Sequence, residues 1–329
     1  TLISGSPANA TVPASVVIAS NTTVQTFPID AVPNPSAFTN VPVLITASAV
    51  GYTNGAATLT VSNTDVAPIT QISLTSTNTN SYTQDFDSLG TATISNVMSP
   101  TTGVQTSLGA VTSTNLNGWY AAKIGGTGTN SFSIVANDGS RSGGSVYNYG
   151  STNTNGGTNL NRSLGGLASG TTVAGWGALI KNDTASTLTA VSVSMTAKFW
   201  RSSTGTSNNV LTFGYGVVDG AIATTTNFLT ATNATALTGL NVVGPAPVAT
   251  NGAIDGNILA NQVQFSNVAI PVNLAPGETM FIRWQDANEG GNDAGLAIDD
   301  LAFTAFSGLA APSFDVPAGT YLTSQNVKV

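Results

Sequence analysis

The chain has 329 residues, of which 7% are charged and 41% are hydrophobic, and its formal net charge is −7. An average globular domain carries about 25% charged residues, so the composition indicates a folded chain in which Thr, Ser, Asn and Gly replace most of the charge. Histidine and cysteine are absent, which excludes Ser–His and Cys–His catalysis, imidazole or thiolate zinc sites, and disulfide bonds.

Residues 1–67 predict a β-hairpin. The stretch VPVLITASAVGYTNGAATLTV contains two strand-like runs, and Asn54-Gly55 between them is typical of a tight turn. This stretch resembles the hairpin that ends a Calx-beta-like, immunoglobulin-type sandwich. A complete domain of that type has about 100 residues, so the resemblance implies that residues 1–67 are the C-terminal part of such a domain.

Residues 68–306 predict many short strands, because runs of Val, Ile, Thr, Phe and Tyr alternate with polar residues between turn signals. The clearest strand runs from Val191 to Trp200, with Lys198 and Trp200 on its polar face. Its apolar face consists of Val191, Val193, Met195, Ala197 and Phe199. Further strands are predicted at Leu211–Val217, Val268–Val272, Met280–Trp284 and Leu296–Phe303. The pattern predicts an all-β, antiparallel β-sandwich of jelly-roll or lectin-like type.

This main segment also contains the stretches YTQDFDSLG, GWYAAKIG and FIRWQDANEGGNDAGLAIDDLAF. With them it resembles a β-sandwich module of large secreted bacterial proteins, which occurs beside adhesion repeats and extracellular nuclease domains. Catalysis in such proteins lies in other domains, so the resemblance implies a module without a catalytic site. The closing IDDLAF is similar to the last strand of lectin-like and MAM-like jelly rolls, which is a similarity of fold only.

Residues 307–329 form the third segment, a linker followed by the run FDVPAGTYLTSQNVKV. This run resembles the opening strands of a chitobiase C-terminal-type, immunoglobulin-like repeat. Together with residues 1–67, it implies partial immunoglobulin-like segments at both ends of the sandwich. We therefore expect the chain to be a section of a longer modular protein, whose partners are neighbouring domains or other copies of itself.

The sequence carries no motif for catalysis. It lacks a GxSxG elbow, an SxxK pair, a P-loop and a GxGxxG turn. A glycosidase needs two facing carboxylates, whereas the two glutamates are Glu278, in an exposed Pro-Gly turn, and Glu289. The eight Lys and Arg residues are isolated, and nucleic-acid binding needs clustered cations. We expect no enzymatic activity, no nucleic-acid partner and no membrane span.

The acidic residues gather in places that suit calcium, which takes six to eight oxygen ligands. One is the glycine-containing loop from Asp286 to Asp293, which departs from an EF-hand because Gly290 and Ala297 fill two ligand positions. Pairing of the first and last strands of the sandwich would form a second site, because it would bring Asp85 or Asp87 near Asp299 or Asp300. The candidate ligands are Asp85, Asp87, Asp286, Asn288, Asp293, Asp299 and Asp300. The alternative is that these acids cap turns and solubilise strand ends.

Aromatic residues provide a second candidate site, because sugars stack their apolar faces on exposed rings. Trp200 is the best candidate, since it lies on the polar face of its strand. Tyr147 and Tyr149, at the start of an asparagine-rich loop over residues 147–157, are weaker candidates. The alternative is that these rings belong to the core or to a contact between subunits.

These observations favour a non-catalytic section of an extracellular or cell-surface bacterial protein, such as a stalk, adhesin, matrix or filament component. Few Lys and Arg residues leave few tryptic cleavage points, and the absence of Cys and His avoids oxidation and unwanted metal binding, both of which suit life outside the cell. One alternative is a calcium-supported carbohydrate-binding module whose partner is a polysaccharide. Another is an accessory domain of a secreted hydrolase or nuclease.

Overall fold

The computed structural model describes residues 1–32, 41–61, 70–112, 115–151, 161–218 and 228–308. The chain divides into two compact units, Thr1–Ile69 and Thr70–Val329. The immunoglobulin-like strands expected in residues 307–329 lie outside the described residues from position 309 onward, as does most of the asparagine-rich loop.

The first unit contains a three-stranded antiparallel sheet and a separate two-stranded ladder. Its strands are β1 Leu2–Ser4, β2 Ala10–Thr11, β3 Asp30–Ala31, β4 Val41–Ala47 and β5 Gly55–Val61. The sheet has the order β1–β4–β5, and β2 pairs with β3. Ala10, Val43 and Ile45 form its small buried core.

Strands β4 and β5 are the two strands of the predicted hairpin, paired from Val41–Val61 to Ala47–Gly55. The position of the turn was predicted wrongly. Gly55 is already the first residue of β5, and a turn closed by the Tyr52 amide donating to the Ala49 carbonyl at 3.2 Å lies earlier. Gly51 in that turn has a φ of 85°, a conformation that glycine adopts without steric cost.

In the part of the chain that the structure describes, the second unit contains sixteen strands. They are β6 Ile72–Leu74, β7 Asn80–Gln84, β8 Ile94–Met98, β9 Gln105–Ser107, β10 Trp119–Gly125, β11 Phe132–Asn137, β12 Ser145–Tyr149, β13 Ser163–Leu167, β14 Val173–Asn182, β15 Leu188–Arg201, β16 Val210–Val217, β17 Thr235–Ala236, β18 Val242–Val243, β19 Gln262–Leu274, β20 Thr279–Gln285 and β21 Gly295–Ser307. One short helix, α1, spans Leu108–Thr112. The five strands predicted in this unit lie within β15, β16, β19, β20 and β21.

These strands form two sheets. Sheet I has the order β17–β16–β20–β14–β10–β9, with β18 on β16 and β6 on β14. Sheet II has the order β19–β15–β21–β13–β12–β11–β8, with β7 on β21. Apart from the parallel pairs β11–β12 and β14–β6, the pairs are antiparallel. The predicted all-β, antiparallel sandwich is therefore confirmed.

The core of the sandwich lies between the two sheets. Sheet I contributes Trp176 and Trp284, and sheet II contributes Leu164 and Phe303. The predicted apolar face of β15 is confirmed, because Val191, Val193, Met195, Ala197 and Phe199 all belong to this core. Lys198 and Trp200 alternate with them and therefore lie on the opposite, outer face of sheet II.

Candidate functional site

A polar cleft of about 490 Å³ opens beside the pair β7–β21. It is lined by Tyr82, Thr83, Gln84, Asp85, Ser88, Asn115, Asp300, Leu301 and Ala302. Gln84 at the end of β7 lies opposite Leu301 of β21. This register brings Asp85 and Asp300 to the same cleft, and both are exposed. The strand pairing that the sequence analysis required for a site between these acids is therefore present.

The walls of this cleft are fixed by hydrogen bonds. The Gln84 side chain accepts from the Phe86 amide at 2.8 Å and donates to the Asn115 carbonyl at 3.2 Å. The Asp87 amide donates to the carboxylate of Asp85 at 3.1 Å. Phe86 and Asp300 have φ angles of 56° and 45°, which non-glycine residues seldom adopt. Backbone strain of this kind is common at functional sites.

A buried polar centre lies close to this cleft, on the outer face of sheet II. Lys198 of β15 and Asp299 of β21 form an ion pair of 2.5 Å, with side chains only 2% and 1% exposed. The Lys198 ammonium also donates to the side-chain oxygens of Asn161 at 2.5 Å and Asn257 at 2.8 Å. An ammonium group has three donors, so each of them has a partner.

The carboxyl groups around this centre differ in their surroundings. Burial raises the pKa of Asp299 to about 7, although Lys198 acts in the opposite direction. Partial burial also raises the pKa of Asp87, whose carboxylate accepts from the Arg162 amide at 2.7 Å. Two predicted calcium ligands are thus engaged by protein groups: Asp299 by an ammonium and Asp87 by a backbone amide.

The loop from Asp286 to Asp293 is tied to the sandwich by Asn209. The Asn209 side chain donates to Glu289 at 2.7 Å and accepts from the Ala294 amide at 2.7 Å. Burial, with Glu289 next in effect, raises the pKa of Asp293 to about 7. Burial likewise raises the pKa of Asp286 well above its usual value.

Asn288, the other predicted ligand in this loop, is exposed. Across the described parts of the chain, no three acidic side chains are grouped so that they could hold a metal ion. The seven predicted ligands are divided between the Asp286–Asp293 loop and the region where β7 pairs with β21. Calcium binding stays a prediction.

The three aromatic candidates form one buried stack on the outer face of sheet II. Tyr147 stacks on Tyr149 with ring centroids 4.9 Å apart, and Tyr149 stacks on Trp200 at 5.7 Å. Trp200 is 0% exposed and its indole N–H donates to the Ser163 hydroxyl at 2.8 Å. The predicted exposed sugar-stacking surface is therefore wrong for these rings, because all three are buried, and a chain segment covers Trp200.

We term the covering segment, residues 252–262, the strap. Its backbone joins the C-terminal end of β15, where the Ile254 amide donates to the Trp200 carbonyl at 2.9 Å. Gly256 packs directly on the Trp200 ring, since a Cβ there would lie 2.5 Å from the indole. The strap also supplies Asn257 to the buried ammonium of Lys198.

Sequence reasoning missed the roles of Lys198, Asn161 and Asn257. A weak signal was present, because Lys198 alternates with Trp200 on one strand face in a chain that has only eight cationic residues. The asparagines carried no signal, since they lie 37 and 59 residues from Lys198 in a chain rich in asparagine.

Comparisons with known proteins provide no family. No family model matches the chain, and no curated protein matches it. Among solved structures, a carbohydrate-binding module of the β-sandwich superfamily is similar with 11% identity and a TM-score of 0.25, over 86% of this chain and 80% of that chain. A TM-score this low supports no inference about what this chain binds. Within the described residues, no helix has the length and apolar character needed to cross a membrane.

Proposed function

We propose that this chain is a non-catalytic, structural or adhesive section of a bacterial protein that acts outside the cell or on its surface. The proposal is carried by the use of its cationic side chains. In enzymes and binding proteins, Lys and Arg commonly face a ligand. In the second unit, several of them instead bind acceptors within the sandwich.

Each of these cations ties a loop or strand to a sheet. Arg201 donates to the Gly139 carbonyl at 3.0 Å, and Arg283 donates to the Phe228 carbonyl at 2.8 Å. Lys123 donates to the Gly128 carbonyl, and Arg162 donates to the side-chain oxygen of Asn148 at 2.8 Å. Lys198 is held by three acceptors. Cationic side chains that are bonded in this way stabilise the fold, which suits a structural role.

The surface fits the same proposal. The sequence has few charges, and an uncharged Thr- and Asn-rich surface packs against another copy or a neighbouring domain without like-charge repulsion. Such a surface is a solubility risk for an isolated monomer. We therefore propose other copies of the chain, or neighbouring domains of the same protein, as its partners.

Light scattering and negative-stain microscopy on the purified chain test this function, with calcium and after chelation. We expect defined oligomers or fibres whose formation depends on protein concentration. Loss of these assemblies on chelation would support a calcium ion at a contact. A monodisperse monomer under every condition, with retention on a polysaccharide, would contradict the structural function and favour the second candidate.

The second candidate function is calcium-supported binding of a polysaccharide at the polar cleft. The observation that favours it is the pair of exposed carboxylates, Asp85 and Asp300, in one cleft that Asn115 also lines. Carboxylate and amide groups suit sugar hydroxyls, and hard oxygen ligands suit calcium.

Affinity electrophoresis in gels containing single polysaccharides tests this second function. The variants are Asp85→Ala and Asp300→Ala, and Asp30→Ala is the matched control because Asp30 is an exposed acid on β3 of the first unit. Retardation that requires calcium and is lost in both cleft variants but kept in the control would support the cleft. Equal retardation of all four proteins would exclude it as the binding site.

A further inference from the structure

The buried centre around Lys198 brings together an amine, a carboxamide and a carboxyl group. The nitrogen of Lys198 lies 2.5 Å from the side-chain oxygen of Asn161 and 2.5 Å from a carboxylate oxygen of Asp299. Charge-assisted N–H···O bonds are usually about 2.7–2.9 Å long, so the amine is within hydrogen-bond contact of both groups. The three groups lie on or beside three neighbouring strands of sheet II, since β21 runs between β15 and β13 and Asn161 lies two residues before the start of β13.

This environment suits acyl transfer between side chains. Lys198 and Asp299 are buried while Asn161 is exposed, so water is excluded from the amine and the carboxyl group. The Asp299 carboxylate is in direct contact with the Lys198 ammonium, so it is placed to take a proton from that group. The amine nucleophile, the carbonyl that it would attack and a proton carrier are therefore in contact before any reaction occurs.

We propose that Lys198 and Asn161 form an intramolecular isopeptide bond, with Asp299 as the catalytic acid–base. The carboxylate of Asp299 takes a proton from the Lys198 ammonium, and the neutral amine attacks the side-chain carbonyl carbon of Asn161. The new C–N bond forms while the bond from that carbon to the Asn161 amide nitrogen breaks. The nitrogen of Asn161 leaves as ammonia, taking the second amine proton of Lys198 through Asp299, which ends protonated.

Asn161 is assigned as the reacting amide, and Asn257 as a positioning residue. The side-chain oxygens of Asn161 and Asn257 both accept from the Lys198 ammonium. The amide nitrogen of Asn257, which would have to leave if Asn257 reacted, donates to the Ser151 hydroxyl at 3.2 Å and to the Asn161 carbonyl at 3.3 Å. Asn257 thus holds the strap against the segment that carries Asn161.

The isopeptide bond would be a covalent cross-link within the sandwich. With no cysteine, the chain cannot form a disulfide. A link from Lys198 to Asn161 would join β15 to the start of β13 and pass over β21 between them. Such a tie would hold together three strands of sheet II against heat, proteases or pulling force outside the cell.

The mass of the intact, denatured wild-type chain is the first measurement. One isopeptide bond releases one ammonia, so we expect a mass about 17 Da below that of the sequence. A succinimide at an asparagine causes the same loss, but it leaves the chain uncrosslinked. Tryptic peptides distinguish the two, because the proposed bond joins the peptide over residues 142–162 to the peptide over residues 182–201.

Variants test each assignment. Lys198→Arg keeps the charge but cannot form the amide, and Asn161→Ala removes the carbonyl, so both should show the full sequence mass. Asp299→Asn should lose the joined peptide, and Asn54→Ala, the matched control at an exposed asparagine of the first unit, should retain it. Circular dichroism reports whether each variant folds. A wild-type chain at its full sequence mass would overturn the proposal, and so would a joined peptide that contains Asn257, which lies in residues 202–283.

Discussion

Buried acids distinguish this molecule at the scale of single residues. Asp293 is 5% exposed, and burial raises its pKa from 3.8 to about 7. The folded state therefore binds the proton more tightly than the unfolded state does. The stability that the protonated carboxyl contributes is fully present below about pH 3.8 and is lost as the pH rises to about 7.

We predict that Asp293→Asn flattens the pH dependence of stability between pH 4 and about pH 7. The introduced amide stays neutral, and its oxygen can still accept from the Asn209 side chain, which now donates to Asp293 at 3.4 Å. Melting temperatures measured at several pH values check this prediction. Asp30→Asn is the control because Asp30 is exposed. An unchanged slope in the Asp293 variant would show that another group titrates.

The candidate residues show what sequence can predict at this scale. The approach of Asp85 to Asp300 followed from the expected pairing of the first and last strands, since Asp85 directly follows β7 and Asp300 lies in β21. The centre at Lys198 did not, because its partners come from irregular segments 37 and 59 residues away. Alternation states which face of a strand a side chain takes, but it carries no information about the loop that covers that face.

At the scale of elements, the packing of the strap against sheet II can be tested by mutation. It covers Trp200, and Gly256 is the residue in contact with the indole. An added methyl group at Gly256 would lie 2.5 Å from a ring carbon and 2.7 Å from the ring nitrogen. Because the ring is 0% exposed and stacked on Tyr149, it has little room to move away.

We predict that Gly256→Ala destabilises the protein by about 1–3 kcal/mol, the usual cost of overpacking a filled core. Gly252→Ala in the same strap is the matched control, since a Cβ at Gly252 would meet nothing within 4 Å. Urea unfolding followed by tryptophan fluorescence measures both variants. Equal stability of the two would show that the strap does not press on Trp200.

Strand prediction succeeded where alternation was long and failed where chain connections decided the structure. All five strands predicted in the second unit are present, and the apolar face of β15 is correct. The turn of the first hairpin was misplaced, because Asn54-Gly55 is a strong local turn signal that pairing of β4 with β5 overrides. The strap was not predicted at all, since its sequence has neither strand nor helix periodicity.

At the scale of the whole molecule, the chain consists of two units whose buried cores differ in size. The second unit has a core built from both sheets, including Trp119, Trp176 and Trp284, whereas the buried core of the first consists of Ala10, Val43 and Ile45. Small units bury a smaller fraction of their surface and are correspondingly marginal. Stability of the chain should therefore reside mainly in the second unit.

We predict that a fragment of residues 70–308 folds alone and melts within a few degrees of the main transition of the full chain, because the core described for the second unit consists of its own residues, from Ile72 to Ala305. A fragment of residues 1–69 should melt lower or remain unfolded, since its core is small. Calorimetry of both fragments and of the full chain measures this. If residues 70–308 fail to fold, or melt far below the full chain, the sandwich depends on the first unit, and the boundary at Ile69 does not separate independent folding units.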